Sequence, residues 1–213
     1  MKFAVIGYGS FGSNVAKTLF EKGHEVLVID KDRERIAAAK DFATNAVMTD
    51  SPVKENLEAL GLKDMDAVVV SMGHQMEASV LTTLYLRELG VKRILTKALS
   101  EDHAKVLEAV GATEVVFPEK DMAIRTALRL SSPNILEYLP LSNGITIQEI
   151  APPDRFIGKT LKELDLTNRL GVQIIAVKEI IPDHVVIIPR ADFVIKDSDI
   201  LVVIGEESEL SKI

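Results

Sequence analysis

Three glycines and an aspartate are the residues whose types and spacing suggest chemistry. Gly7-Tyr8-Gly9-Ser10-Phe11-Gly12 is a G-x-G-x-x-G run, and Asp30 lies 18 residues beyond Gly12. In such a run the first glycine permits a tight turn. The second lets phosphate approach the backbone, and the third lets a helix pack close to a sheet. The N–H groups and positive dipole of that helix suit a pyrophosphate. Asp30 is spaced to accept hydrogen bonds from ribose hydroxyls. The run alone is weak evidence. It gains weight here from an apolar strand before it, a helical pattern after it and an acid at the right distance. The expected chemistry is adenine-nucleotide binding. The alternative is a glycine turn kept for packing, with Asp30 a solvated strand end.

The elements needed to position these residues are legible. Residues 2–6 form an apolar run as long as one buried strand. Phe11, Val15, Leu19 and Phe20 fall on one helical face, and Gly23 sits where a helix should stop. Residues 25–30 read as a second strand. A helix over 31–40 and a short strand over 46–48 follow. Thr49-Asp50-Ser51-Pro52 reads as a helix start with Pro52 in the first turn, continued to residue 60 and stopped by Gly61. Strands are expected at 66–71, 93–97 and 114–117, with helices at 76–89, 100–110 and 118–130. Six strands alternating with helices predict an α/β, Rossmann-like doubly wound parallel sheet in the order 3-2-1-4-5-6. Ligand would lie over the C-terminal ends of strands one and four. Gly7, Asp30, Asp50, Ser71, Met72, Gly73 and Lys97 would then surround one crevice. Tyr8, Gly9, Ser10, Phe11, Gly12 and Lys31 join the candidate cofactor-binding set.

The pattern changes after residue 131. Ser131-Ser132-Pro133-Asn134 and Ser142-Asn143-Gly144 are breaker clusters flanking a short apolar connector at 135–141. Residues 145–150 alternate apolar and polar like a half-exposed strand. A short helix at 160–166, strands at 172–177, 185–189 and 200–204, and a last helical turn at 206–212 predict a small α+β module, antiparallel or mixed. The expected organisation is a nucleotide-binding domain over 1–131, a connector over 132–141 and a second module over 142–213.

Composition narrows the function classes. The chain has 213 residues, 47% of them apolar, and no cysteine, which removes disulfides and thiolate chemistry. Its mean hydropathy of +0.17 comes from runs of five or six residues, too short to span a bilayer. Buried parallel strands account for them. Lys2 precedes only a short apolar run and a glycine loop, so no signal sequence is expected and a cytoplasmic location follows. A net charge of −7 with interspersed signs disfavours nucleic-acid binding. A nicotinamide dehydrogenase would need a proton-transfer group on the second module. The histidine there, His184, reads as a solvent-exposed turn or strand residue. His24 and His103 sit at a turn and a helix start, and His74 falls near the crevice with no acid–base partner beside it. No metal-ligand spacing appears. A non-enzymatic binding module, in which nucleotide changes shape or partners, fits better. A small NAD(H)-dependent oxidoreductase, or an orphan nucleotide-binding protein, is the alternative.

Five further runs carry a resemblance. Ala4-Val5-Ile6-Gly7-x-Gly9-x-Phe11-Gly12, Gly23-His24-Glu25-Val26 leading to Asp30, Ala78-Ser79-x-Leu81-Thr82-Thr83-Leu84, Lys97-Ala98 and Pro118-Glu119-Lys120-Asp121-Met122 occur in that order. With the C-terminal module they make nearly the whole chain similar to the regulatory subunits of Trk/Ktr potassium-uptake systems, the RCK (KTN) family with its RCK-C (TrkA-C) domain. The resemblance implies a non-enzymatic protein whose first domain binds ATP, ADP or NAD(H). It implies homodimers paired through the helix after strand six and assembled into rings, often octamers, on the inner face of a potassium-translocating membrane subunit. It makes Gly7, Gly9 and Gly12 the phosphate loop, Asp30 the ribose acid and Lys97 a phosphate-facing lysine. Glu119 would be a carboxylate near the paired sites that holds a divalent cation in some members. Arg169-Leu170-Gly171-Val172-Gln173-Ile174-Ile175 and Pro189 resemble a region used for cyclic di-AMP, or else are a strand packing its Ile and Val inside the module. One departure matters. Several ATP-responsive members carry arginine where this chain has Ser10, and a hydroxyl cannot replace guanidinium on a terminal phosphate. The expected ligand shifts toward NAD(H), ADP or AMP.

Overall fold

A computed structural model describes residues 1–73, 75–131, 135–141, 144–181 and 183–213. His74, Ser132-Pro133-Asn134 and Ser142-Asn143 lie outside the described residues. The chain divides into two compact units, Met1–Glu119 and Lys120–Ile213.

The first unit is built on a six-stranded parallel sheet. Its strands are β1 (Lys2–Ile6), β2 (Glu25–Asp30), β3 (Asn45–Met48), β4 (Ala67–Val70), β5 (Ile94–Lys97) and β6 (Glu114–Val116), in the order β3-β2-β1-β4-β5-β6. This is the expected two-half arrangement. The connecting helices are α1 (Ser10–Glu21), α2 (Arg33–Ala39), α3 (Lys54–Glu58), α4 (Met76–Glu88) and α5 (Glu101–Val110). The central strands are buried because helices cover both sheet faces. Ala4, Ile6, Val68 and Val70 pack toward one layer, with Leu57, Leu62 and Leu86. Val5, Val28 and Val69 pack toward the other, with Ala16 and Ile36.

Local chemistry sets the helix ends. Asp32 caps α2 by accepting from the Glu34 and Arg35 amides, and Ser100 caps α5 by accepting from the His103 amide. Gly111 ends α5 at φ +119°. Two expectations need correction. Gly12 and Ala16 are the buried residues of α1, with Phe11, Val15 and Leu19 partly buried against the same cluster. Phe20, in the last turn, is exposed. Pro52 stands in a turn before α3, not in its first helical turn, because Ser51 is buried with its hydroxyl on Met72 Sδ and does not open the helix.

Helix α6 (Pro118–Ser131) follows β6 and has no buried residue; Met122, Ile124 and Leu130 are exposed. Beyond it the second unit forms an antiparallel five-stranded sheet. Its strands are β7 (Ile135–Pro140), β8 (Ile145–Ile150), β9 (Gln173–Glu179), β10 (His184–Ile187) and β11 (Asp199–Glu206), in the order β10-β9-β11-β8-β7. One face carries Ile150, Ile174, Val177, Leu201 and Val203 against Leu164, Leu166 and Leu210, which lie on α7 (Leu161–Leu164), α8 (Leu166–Leu170) and α9 (Glu207–Leu210).

Three more readings are corrected here. The apolar stretch at 135–141 is mostly the strand β7. It tolerates Pro140 because it lies at the sheet edge. In β8 the inward residues are Thr146, Gln148 and Ile150, while Ile145 is exposed. The polar pair survives burial because Gln148 Nε2 donates to Thr146 Oγ1 at 3.3 Å. The helix expected over 160–166 is two short ones, broken where Asp165 takes φ +47°.

Leu201, fully buried on β11 between two strands, and Ile187, 74% exposed on the edge strand β10, give a contrast. Leu201→Ala should cost roughly 2–5 kcal/mol in urea unfolding. Ile187→Ala should stay within about 0.5 kcal/mol of the parent protein.

Candidate functional site

The C-terminal ends of β1 to β5 and the loops that follow them enclose a cavity of about 350 Å³. Gly7, Gly9, Ser10, Phe11, Asp30, Lys31, Asp50, Ser71, Met72, Gly73 and Lys97 all line it. These are most of the residues singled out in the sequence. Strand order is the reason: β1 and β4 are neighbours whose connections leave toward opposite faces, and that opens a crevice between them.

The glycines differ in their tasks. Gly7 has φ +93°, and a Cβ there would stand 2.1 Å from Ser71 O. A Cβ on Gly12 would stand 2.0 Å from Gly7 O. These two glycines are required by backbone packing alone. A Cβ on Gly9 would meet no protein atom within 4 Å. Gly9 lines the cavity and is the N-cap of α1, with no side-chain capping bond. The first amides of α1 therefore stay available at the cavity end of the helix dipole.

Asp30 is 6% exposed. Its Oδ2 accepts the Tyr8 amide at 2.7 Å and its Oδ1 accepts the Asp32 amide at 2.9 Å. Arg35 Nη1 stands 3.6 Å from the same Oδ2. The carboxylate thus holds the glycine loop to the end of β2. Each oxygen has a second lone-pair direction with which to accept from a ligand. Lys31 Nζ donates to Gln75 Oε1 at 3.2 Å, linking the loops after β2 and β4. Lys97 has a side chain only 10% exposed and pairs with Glu119 at the start of α6.

Three of the expected residues do not line the cavity. Tyr8 contributes its amide but buries its ring with Val5, Ala16 and Ile36. Gly12 acts through packing, and Glu119 reaches the site only through Lys97. Among the described residues, no group of three or more His, Asp or Glu side chains could hold a metal ion. The structure adds Asp32, Arg35, Thr49, Ser51 and Gln75 to the lining. Thr49 and Ser51 flank Asp50, and Arg35 is one helical turn beyond Asp32, so adjacency was the available signal. Ser51 Oγ and Thr82 Oγ1, both buried, lie 3.6 and 3.5 Å from Met72 Sδ.

His24 packs its ring on Phe3, and His184 is exposed at the start of β10. In the second unit Val172 and Ile174 are core residues, while Arg169, Gln173 and Arg190 are exposed.

A doubly wound domain with a glycine loop at its switch point, followed by a small antiparallel module, defines a class of two-domain proteins. Family models divide this chain the same way: the TrkA-N domain matches residues 3–118 and the TrkA-C domain residues 145–213. The Ktr system potassium uptake protein C of Bacillus subtilis (strain 168) is 42% identical over 99% of this chain and 95% of its own length. The Ktr system potassium uptake protein A of Vibrio alginolyticus is 34% identical over 99% and 94%. A structure of the GsuK channel bound to NAD superposes with a TM-score of 0.67 at 18% identity, covering 98% of this chain and 38% of that one. The chain belongs to the family of Ktr and Trk potassium-uptake proteins built from TrkA-N and TrkA-C domains.

Substitution at the three glycines should separate packing from site. Gly7→Ala and Gly12→Ala should each lower stability by roughly 2–4 kcal/mol in chemical denaturation, through backbone strain and overpacking. Gly9→Ala should cost less than about 1 kcal/mol, as an N-cap exchange does.

Proposed function

We propose that this chain is a cytoplasmic, nucleotide-sensing regulatory subunit that gates a potassium-translocating membrane protein of Trk/Ktr type. The observation that carries the reading is the cavity, lined by the glycine loop, Asp30 and Lys97, in a chain that matches potassium-uptake proteins over almost their full length. No described helix is long and apolar enough to cross a membrane. In this reading the nucleotide-binding domain runs to the end of α6 at residue 131. Residues 132–141 connect it to the second domain over 142–213, with β7 paired onto the edge of that domain's sheet.

The ligand is an adenine nucleotide. Its phosphates lie at the N-terminus of α1 beside Ser10 and within reach of Lys97. Its ribose hydroxyls donate to Asp30, and its base sits over the loop that carries Asp50. Similarly folded proteins are described as bound to NAD and to AMP, which agrees with this class. With Ser10 in place of arginine, ADP, AMP and NAD(H) are favoured over ATP, because the loop offers no guanidinium to a terminal phosphate. A divalent cation would draw on Glu119 together with phosphate oxygens. The exposed apolar residues Met122, Ile124 and Leu130 on α6 support pairing of two subunits along that helix, with dimers closing into a ring, octameric by analogy with the family. Cyclic di-AMP would bind between paired C-terminal modules near Arg169 and Pro189.

A thermal-shift panel with ATP, ADP, AMP, NAD+, NADH and cyclic di-AMP tests the reading. A specific nucleotide at about one hundred times its Kd should stabilise the fold by roughly 2.7 kcal/mol. No shift with any of them removes the sensor function. Asp30→Ala should weaken the best nucleotide by roughly 10- to 100-fold, equivalent to one charge-assisted hydrogen bond. Unchanged affinity in that variant overturns the ribose assignment. The double variant Met122→Asp with Leu130→Asp should sediment as a smaller species than the parent protein.

A further inference from the structure

Two walls of the cavity are tied together beneath the surface by one imidazole. His103, in the first turn of α5, is 2% exposed. Its Nδ1 accepts the backbone N–H of Leu99 at 3.3 Å, and its Nε2 lies 2.9 Å from Ser79 Oγ. Because Nδ1 accepts, the ring proton sits on Nε2, and the ring donates to Ser79. Ser79 Oγ in turn donates to Met76 O at 2.9 Å, in the first turn of α4. Thr83 Oγ1 donates to Ser79 O at 2.7 Å and fixes the same turn from within.

The endpoints of this relay matter. Leu99 lies two residues beyond Lys97, a cation of the cavity. Met76 directly follows Gln75, which also lines the cavity. The ring therefore bridges the segment leaving β5 and the helix that continues the segment leaving β4. Ser79 is also buried, so solvent does not take the ring's place on its hydroxyl.

We propose that His103 is a positioning residue for the ligand cavity: its neutral ring holds the 97–99 segment and the start of α4 in fixed register, so that Lys97 and the Gly73 and Gln75 wall keep the spacing a nucleotide needs. The functional consequence rests on the nucleotide reading above; the hydrogen-bonded relay does not.

The relay operates in one protonation state. A protonated ring would carry N–H at Nδ1 and meet the Leu99 amide donor to donor. Burial pushes His103 below its ordinary value of 6.5. The unfolded chain therefore takes up a proton at higher pH than the folded one. The contribution of the relay is full above about pH 6.5 and declines as pH falls through that value toward the lowered one. The charged residues within two positions of the relay are Glu77 on α4, Lys97 on β5, and Glu101, Asp102 and Lys105 on the ring's own helix, and Glu114 stands on β6, which packs against that helix. All are retained in the variants below, so differences between them report the ring.

The test compares wild type, His103→Leu and His103→Gln by amide hydrogen exchange on the unliganded full chain and by calorimetric titration with ADP. Leucine keeps bulk and loses both bonds. Exchange at Leu99 and at Ser71, Met72, Gly73, Gln75 and Met76 should rise about tenfold, and ADP affinity should fall roughly 5- to 10-fold, the scale of one lost hydrogen bond. Glutamine retains an amide donor for Ser79 and should recover most of both. Wild-type affinity should weaken as pH falls below 6.5 toward the lowered value of the folded ring, and that of His103→Gln should weaken less. Overturning results are a leucine variant with Leu99 exchange and ADP affinity within twofold of wild type, or one that loses only global stability. Should His103→Leu fail to fold, Ser79→Ala breaks the α4 leg alone and is scored by the same two readouts. A wild type that binds no ADP defeats the nucleotide reading, while the exchange data still decide the relay.

Discussion

The site depends on a backbone-on-backbone contact. The turn after β1 lies so close to the end of β4 that a methyl group on Gly7 would overlap Ser71 O. One layer further out, a methyl group on Gly12 would overlap Gly7 O. The same turn is held from both sides: Gly7 donates its N–H to Ile29 O at 2.8 Å, and the Ser71 amide donates to Ile6 O at 2.7 Å. Helix α1 can therefore start directly above the crevice, with its dipole aimed into it. A larger residue at either position would push α1 off the sheet and move every cavity group that the loop carries.

Electrostatics then decides what such a crevice accepts. Asp30 spends one direction of each oxygen on loop amides, so the acid that would read a ribose also builds the loop that would read phosphate. Recognition and architecture share one carboxylate. Lys97 is held through its pair with Glu119 on α6, the helix whose apolar residues face solvent in a single subunit. An anion that competes for Lys97 changes the company of Glu119. This gives ligand charge a physical route toward α6 in the sensor reading.

The second unit is specified by a different balance. Its core needs only one face of an antiparallel sheet and three short helices, and its edge strands β7 and β10 are left with exposed apolar residues. An exposed, apolar strand edge is an association surface or a liability. Thr146 and Gln148 show that burial there is governed by hydrogen-bond satisfaction as much as by polarity.

Much was determined by the sequence itself. The six parallel strands, their order and the gathering of Gly7, Asp30, Asp50 and Lys97 at one end follow from local signals: apolar runs of strand length, glycine stops, capping residues and the handedness of βαβ crossovers. These are short-range effects, each contained in a few neighbouring residues. What needed the tertiary structure was every question of which face or which partner. Period-2 alternation in 145–150 marks a strand but does not say that Thr146 and Gln148 point inward. An apolar stretch at 135–140 does not say that it pairs with β8. His103 reads as an ordinary residue of a capped helix start until Ser79 and Leu99 close on its two nitrogens. Glycine was legible at positions 7 and 12, but only the approach of Ser71, 64 residues along the chain from Gly7, explains why nothing else fits there. Local sequence fixes conformation through backbone preference. Contacts between distant segments are decided by packing and hydrogen-bond satisfaction, which no single stretch of sequence contains.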